Sequence, residues 1–169
     1  MNKIQNQFRI FSNISKMQRI FVYGTLKKGQ PNHKFIADAE NGSCIFIGTG
    51  RTVDKWPLVI ASKYNIPFLL DNKGHGKRVT GEVYSVNPQL KAILDKLEIK
   101  YQEIELDVEL DNQQEETKCS CYVINNFKQE LMELDLLESY IDVELRFVRL
   151  QDREPNDFYD YITDVRNLP

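Results

Sequence analysis

Short strand-like runs separated by turn residues constrain this chain more than any other feature. Arg19-Ile-Phe-Val-Tyr23 is a β-branched and aromatic run stopped by Gly24, and Cys44–Ile47, Leu58–Ile60, Phe68–Leu70 and Val79–Val86 follow. Asn41-Gly42 and Gly74-His75-Gly76 supply turn chemistry between them. Strands this close in sequence point to a small barrel or curled sheet, not an array of strand–helix–strand units. One helix is well marked. Asn87 is a good N-cap, Pro88 fits the first helical position, and Leu90, Ile93, Leu94 and Leu97 recur at i, i+3, i+4 and i+7. Two further strands, Ile104–Leu110 and Lys118–Ile124, flank the acidic run 111–116 as a hairpin. A short helix from Pro31 through Ala37 and a helical segment over Phe127–Leu137 complete the reading. The expected fold class is α+β: a single domain, a small curled β-barrel with a few flanking helices.

A length of 169 residues suits one core. The domain is expected over residues 19–151. Residues 1–18 carry Lys3, Arg9 and Lys16 without an acidic residue. They read as a disordered extension, or as sequence upstream of a start at Met17; a mitochondrial presequence is the lesser alternative. From Asp152 onward the chain is polar, with Pro155 and little periodicity, so residues 152–169 are expected to be a loosely held tail. The net charge of −3 offers nothing to nucleic acid, and no run approaches the ~18 apolar residues of a membrane span. Cys44, Cys119 and Cys121 have no metal-ligand spacing to a histidine and read as reduced packing residues, which points to the cytosol. With His33 and His75 the only histidines, a three-histidine metal site is excluded by count. Asp107, Asp111, Asp135 and Glu115-Glu116 lack the order of a calcium loop. Trp56 reads as a core or pocket-wall residue. Lys27-Lys28 reads most simply as a solvated loop; contact of Lys27 with a substrate carboxylate is the alternative.

Two features carry chemistry. In Tyr23-Gly24-Thr25-Leu26 a glycine follows a buried strand, where it frees the backbone angles and lets a ligand approach the main chain. Successive N–H groups leaving such a turn can hold an anion; the plain alternative is an ordinary turn. Glu98 stands at the C-terminal end of the amphipathic helix, on the border of its apolar face. The helix dipole, Asp95 one turn back and partial burial would all raise its pKa, the direction that proton transfer at neutral pH requires. The plain alternative is a solvated helix-end glutamate.

The run Phe21-Val-Tyr-Gly-Thr-Leu-Lys-Lys-Gly-Gln-Pro-Asn-His33 resembles the amino-terminal signature of γ-glutamylamine cyclotransferases, a branch of the γ-glutamyl cyclotransferase-like family. The similarity continues through Trp56-Pro-Leu-Val-Ile60, Tyr64-Asn-Ile-Pro-Phe-Leu-Leu70 and Gly81-Glu-Val-Tyr84 to Leu94-Asp-Lys-Leu-Glu98, and thins beyond it. The resemblance implies a lyase-type cyclotransferase. Its substrate would be a small γ-glutamyl amine such as γ-glutamyl-ε-lysine, released as 5-oxoproline and the free amine, with no metal or cofactor and no nucleic-acid or membrane partner, in a monomer. It implies that Tyr23, Gly24, Thr25 and Leu26 hold the γ-glutamyl part and that Glu98 is the catalytic acid/base. Tyr101, as a displaced family tyrosine, and Tyr140, in a late Ser-Tyr pair, are implied pocket residues. After Glu98 the chain departs from the family: Ile99-Lys-Tyr-Gln-Glu-Ile-Glu105 is shorter, lacks the usual proline, and has glutamate where arginine falls. Two alternatives therefore stand beside the main reading: a cyclotransferase for γ-glutamyl amino acids, and a non-catalytic binding module on the same fold.

Overall fold

A computed structural model describes residues 17–113, 116–153 and 160–167. Five strands close into a barrel in the order β1-β5-β2-β6-β7, and a separate hairpin, β3–β4, lies against it. The strands are β1 (Gln18–Val22), β2 (Cys44–Thr52), β3 (Leu58–Ala61), β4 (Ile66–Leu69), β5 (Thr80–Val86), β6 (Gln102–Leu110) and β7 (Glu116–Val123). Neighbours run antiparallel, except that β1 meets β7 in parallel at Ile20 and Ser120, which closes the barrel and leaves no free edge there. The interior is filled by alternate residues such as Phe21, Val83, Leu106, Val108, Cys119, Cys121 and Val123, as the period-two pattern of half-buried strands requires. Both cysteines of β7 therefore face the same core, and all three thiols are free. The curled barrel expected from strand spacing is the observed fold.

The helices are α1 (Lys34–Ala37), α2 (Pro88–Leu97) and α3 (Ile162–Val165). Asn87 caps α2, its Oδ1 accepting from the Leu90 N–H at 3.0 Å. Leu90 and Leu94 are fully buried against Ile20, Val22, Tyr84, Val86 and Tyr122. Burial of the two leucines contributes on the order of 3–6 kcal/mol.

Three expectations need correction. The helix expected from Pro31 begins only at Lys34. The Asn32 N–H donates to Thr25 O at 2.9 Å and its side chain to Thr25 Oγ1 at 3.1 Å, so polar groups bond back to the preceding loop instead of continuing a helix. Within Phe127–Leu137 only a 3₁₀ turn forms, Gln129–Glu133. The ends of that segment are committed elsewhere: Lys128 N–H donates to Val165 O and Leu137 N–H to Leu58 O. Finally, residues 160–167 are no loose tail. Val165 is fully buried, Ile162 is buried beside it in a cluster with Phe68 and Phe127, and Arg166 donates to Asn125 O and Lys100 O. The extension expected over residues 1–18 lies outside the described residues up to position 16, while Gln18 already belongs to β1.

Candidate active site

Where β1 ends, Tyr23 turns its ring inward. Its hydroxyl donates to Tyr122 O at 2.9 Å and accepts from the Leu69 N–H at 3.3 Å, pinning β1 to β7 and β4 at one point. The next three carbonyls are all taken. Gly24 O accepts from the Lys27 N–H, Thr25 O from the Asn32 N–H, and Leu26 O from His33 Nδ1–H at 2.9 Å. With carbonyls turned into the loop, the N–H groups of Gly24, Thr25 and Leu26 are left over. No acceptor takes them among the described residues. Such a run of unpaired N–H groups forms a concavity of partial positive charge.

The reason for glycine at position 24 differs from the one read in the sequence. Its φ is not in the left-handed region; a Cβ there would come within 2.8 Å of Pro67 Cγ. The turn packs against the β3–β4 hairpin, and only a hydrogen fits between them. Lys27 is not free for a ligand. Its Nζ donates to Tyr140 O at 2.7 Å and is near Ser139 Oγ at 3.3 Å, and burial holds its pKa below the usual lysine value. It straps the turn to residues 139–140.

Facing the turn is Glu98. As the residue after α2 it donates its N–H to Leu94 O and accepts the Tyr101 N–H on its carbonyl, so the chain bends through one tight turn into β6. Its side chain lines a cavity with Tyr23, Gly24, Thr25, Leu26, Pro67 and Tyr101. Burial pushes the Glu98 carboxyl up to about 7. Asp95 plays no part in that rise. Its carboxyl is ion-paired with Lys91 and accepts from the Tyr122 hydroxyl at 2.6 Å, and its own pKa stays low. Desolvation acts alone on Glu98, and no ion pair reaches its carboxyl among the described residues.

Tyr101 lines the same cavity, its ring stacked on Phe68 with centroids 6.0 Å apart. Burial, reinforced by the charge of Glu98, keeps its phenol protonated. Tyr140 does not join them. It is 1% exposed among the barrel-interior residues, its hydroxyl finds no partner, and it is absent from the Glu98 cavity. It lines a separate cavity with Ile60, Asn65 and Asp142, so it is not a wall of the Glu98 pocket.

Sequence reasoning missed the far wall. A second cavity shares Thr25, Ile66, Glu98 and Tyr101 with the first, and adds Phe147, Arg153 and Tyr161. Glu98 thus stands between two chambers. Tyr161 comes from the terminal segment, and Asp160 beside it forms an ion pair with Lys100, two residues after Glu98. Elsewhere, burial raises all three thiols, Cys44 to about 11 and Cys119 to about 12, so none is a thiolate nucleophile at neutral pH. Trp56 is a core residue, 5% exposed. Among the described residues no three His, Cys, Asp or Glu side chains converge.

The family described as "Gamma-glutamyl cyclotransferase, AIG2-like" matches residues 20–143. This chain belongs to that family. Among relatives of the γ-glutamyl cyclotransferase family, a putative gamma-glutamylcyclotransferase of Drosophila melanogaster is 44% identical over 124 residues, covering 72% of this chain and 79% of its own. Gamma-glutamylaminecyclotransferase C of Danio rerio is 40% identical over 145 residues, 80% of this chain and 95% of its own. A crystal structure of an AIG2-like protein from Mus musculus superposes with a TM-score of 0.72 at 42% identity, covering 75% of this chain and 90% of that one.

Proposed function

We propose that this chain is a γ-glutamylamine cyclotransferase, converting γ-glutamyl amines such as γ-glutamyl-ε-lysine into 5-oxoproline and the free amine. The observation that carries the reading is one carboxyl with a pKa near 7 facing a turn whose N–H groups have no acceptor among the described residues. Relatives named gamma-glutamylaminecyclotransferase, from Bos taurus and Danio rerio among others, support it.

The reaction closes a ring. The substrate's α-amino nitrogen attacks its own γ-carbonyl carbon, a C–N bond forms, and the bond to the departing amine breaks. Two protons leave the α-nitrogen, since an ammonium becomes a lactam N–H, and two arrive on the departing nitrogen, since an amide N–H becomes an ammonium. Glu98 ferries them. Its carboxylate takes a proton from the attacking nitrogen and, as the acid, returns it to the leaving one; a pKa near the working pH makes both directions easy. The N–H groups of Gly24, Thr25 and Leu26 receive the γ-carbonyl oxygen as it gains charge, a contribution of about 3–4 kcal/mol per donor where such groups have been removed. Folding the substrate so that nitrogen meets carbon supplies the rest through a lowered entropy cost. The cavity walls Tyr23 and Tyr101 keep water from the carboxyl.

The protein is taken to act as a monomer in the cytosol: the turn and the carboxyl come from one chain, and the three cysteines are unpaired. No helix among the described residues is long and apolar enough to cross a membrane. Incubation with γ-glutamyl-ε-lysine and with γ-glutamyl-alanine, followed by measurement of 5-oxoproline, tests the assignment. Turnover of the first alone supports it. Turnover of the second alone makes the chain a γ-glutamyl amino acid cyclotransferase, and turnover of neither leaves a binding module.

A further inference from the structure

The second cavity shares Glu98 with the first, so a departing amine would leave through it, and its lining carries a cation. Resting on the reading above, we propose that Arg153 binds a carboxylate on the departing amine, so that the enzyme selects γ-glutamyl compounds whose amine is itself an amino acid. The cavity is about 170 Å³. That is room for the flexible arm of a diamino acid. Phe147, Ile66 and Leu97 give the chamber apolar walls suited to methylene groups, and Glu98 lines it as well.

Arg153 is held for this task without a carboxylate. Its guanidinium carbon lies 4.1 Å from the Tyr64 ring centroid and 5.6 Å from that of Tyr161. Nε and one terminal nitrogen both donate to Val148 O at 3.3 Å. A guanidinium has five N–H donors, and that one carbonyl occupies two of them. No Asp or Glu among the described residues pairs with it, and the one carboxylate lining its cavity is Glu98, which burial biases towards the neutral form. Rings and a backbone carbonyl therefore fix the cation in position, and its charge is left for an anion that enters with the substrate. A planar fork facing a carboxylate gives a paired, charge-assisted contact that an alkylamine lacking the carboxylate cannot make.

The test compares two substrates that differ only in that group, γ-glutamyl-ε-lysine and mono-γ-glutamyl-1,5-diaminopentane, which keeps the terminal ammonium, on the wild-type chain, Arg153→Gln and Arg153→Lys. The wild type is expected to prefer the lysine compound. In Arg153→Gln the ratio of the two kcat/KM values should fall about 10–100-fold, chiefly through KM for the lysine compound, as befits a lost hydrogen bond to a charged group. Arg153→Lys, which keeps the charge, should recover part of the ratio, and this control stands if the glutamine variant fails to fold. A ratio that neither substitution changes, with turnover intact, would overturn the assignment of Arg153 alone. No turnover of either compound by the wild type would overturn the cyclotransferase reading as well.

Discussion

Glu98→Gln should make the protein inactive and, above neutral pH, more stable. The folded protein holds the Glu98 pKa at about 7 against 4.5 for the unperturbed group. Between those values the folded chain keeps a proton that the unfolded chain has shed. Unfolded molecules bind fewer protons there, so stability falls as pH rises from 4.5 through about 7 and levels off beyond. At ~1.4 kcal/mol per pH unit the full loss is about 3 kcal/mol. Glutamine keeps the shape and carries no titrating proton, so the variant escapes this loss. Urea unfolding of both proteins at pH 4.5, 6 and 8 isolates the effect, because every other titrating group is common to the two. The stability difference in favour of the variant should grow by about 3 kcal/mol across that range, equivalent to a melting-temperature gain of roughly 6–12 °C. Over the same range, wild-type kcat/KM should rise with a midpoint near 7 as the carboxylate forms, and the variant should form no 5-oxoproline. A stability difference that stays flat with pH would show the carboxyl to be solvated, and the proton-ferrying role would fall with it.

Three further substitutions separate the parts of the site. Gly24→Ala sets a methyl group against Pro67 and should shift the N–H turn, lowering kcat/KM 10–100-fold while the circular dichroism spectrum stays native; full activity would show that the turn does not contact substrate. Tyr23→Phe removes the hydroxyl that serves Tyr122 O and Leu69 N–H, and should cost about 1–3 kcal/mol in urea unfolding, an unchanged midpoint being the contrary result. Ile162→Ala should cost about 2–5 kcal/mol if the terminal segment belongs to the core, whereas a loosely held tail would leave stability untouched.

What the sequence displayed depended on how local each signal is. The helix from Pro88 was legible because its cap, its proline and its apolar spacing all lie between Asn87 and Leu97. Strand spacing gave the barrel, since antiparallel neighbours need little chain between them. The helix expected from Pro31 failed because Asn32 and His33 bond back to Thr25 and Leu26, partners that periodicity does not register. Glu98 was legible as a residue, but its environment was misjudged: Asp95 is held by Lys91 and by Tyr122 from a strand 27 residues away. Tyr140 and the terminal segment were misread for the same reason. A tyrosine two residues from exposed charge gives no sign that it fills a barrel, and two apolar residues in a polar run show no period to detect.

The short connection after Glu98 and the buried terminal segment are two halves of one arrangement. Only residues 98–101 separate α2 from β6, too few to arch over the carboxyl and shield it. The terminal segment provides the shield. Asp160 pairs with Lys100, Arg166 donates to Lys100 O at 2.7 Å, and Tyr161 between them closes the second cavity beside Glu98. If burial alone raises the Glu98 pKa, the segment that buries it sets the pH at which the enzyme works. Tyr161→Ala should therefore admit water to the carboxyl and move the midpoint of the kcat/KM profile from about 7 towards 4.5, while Glu98 itself is untouched. A profile that keeps its midpoint after that substitution would mean that the carboxyl owes its desolvation to the barrel wall alone.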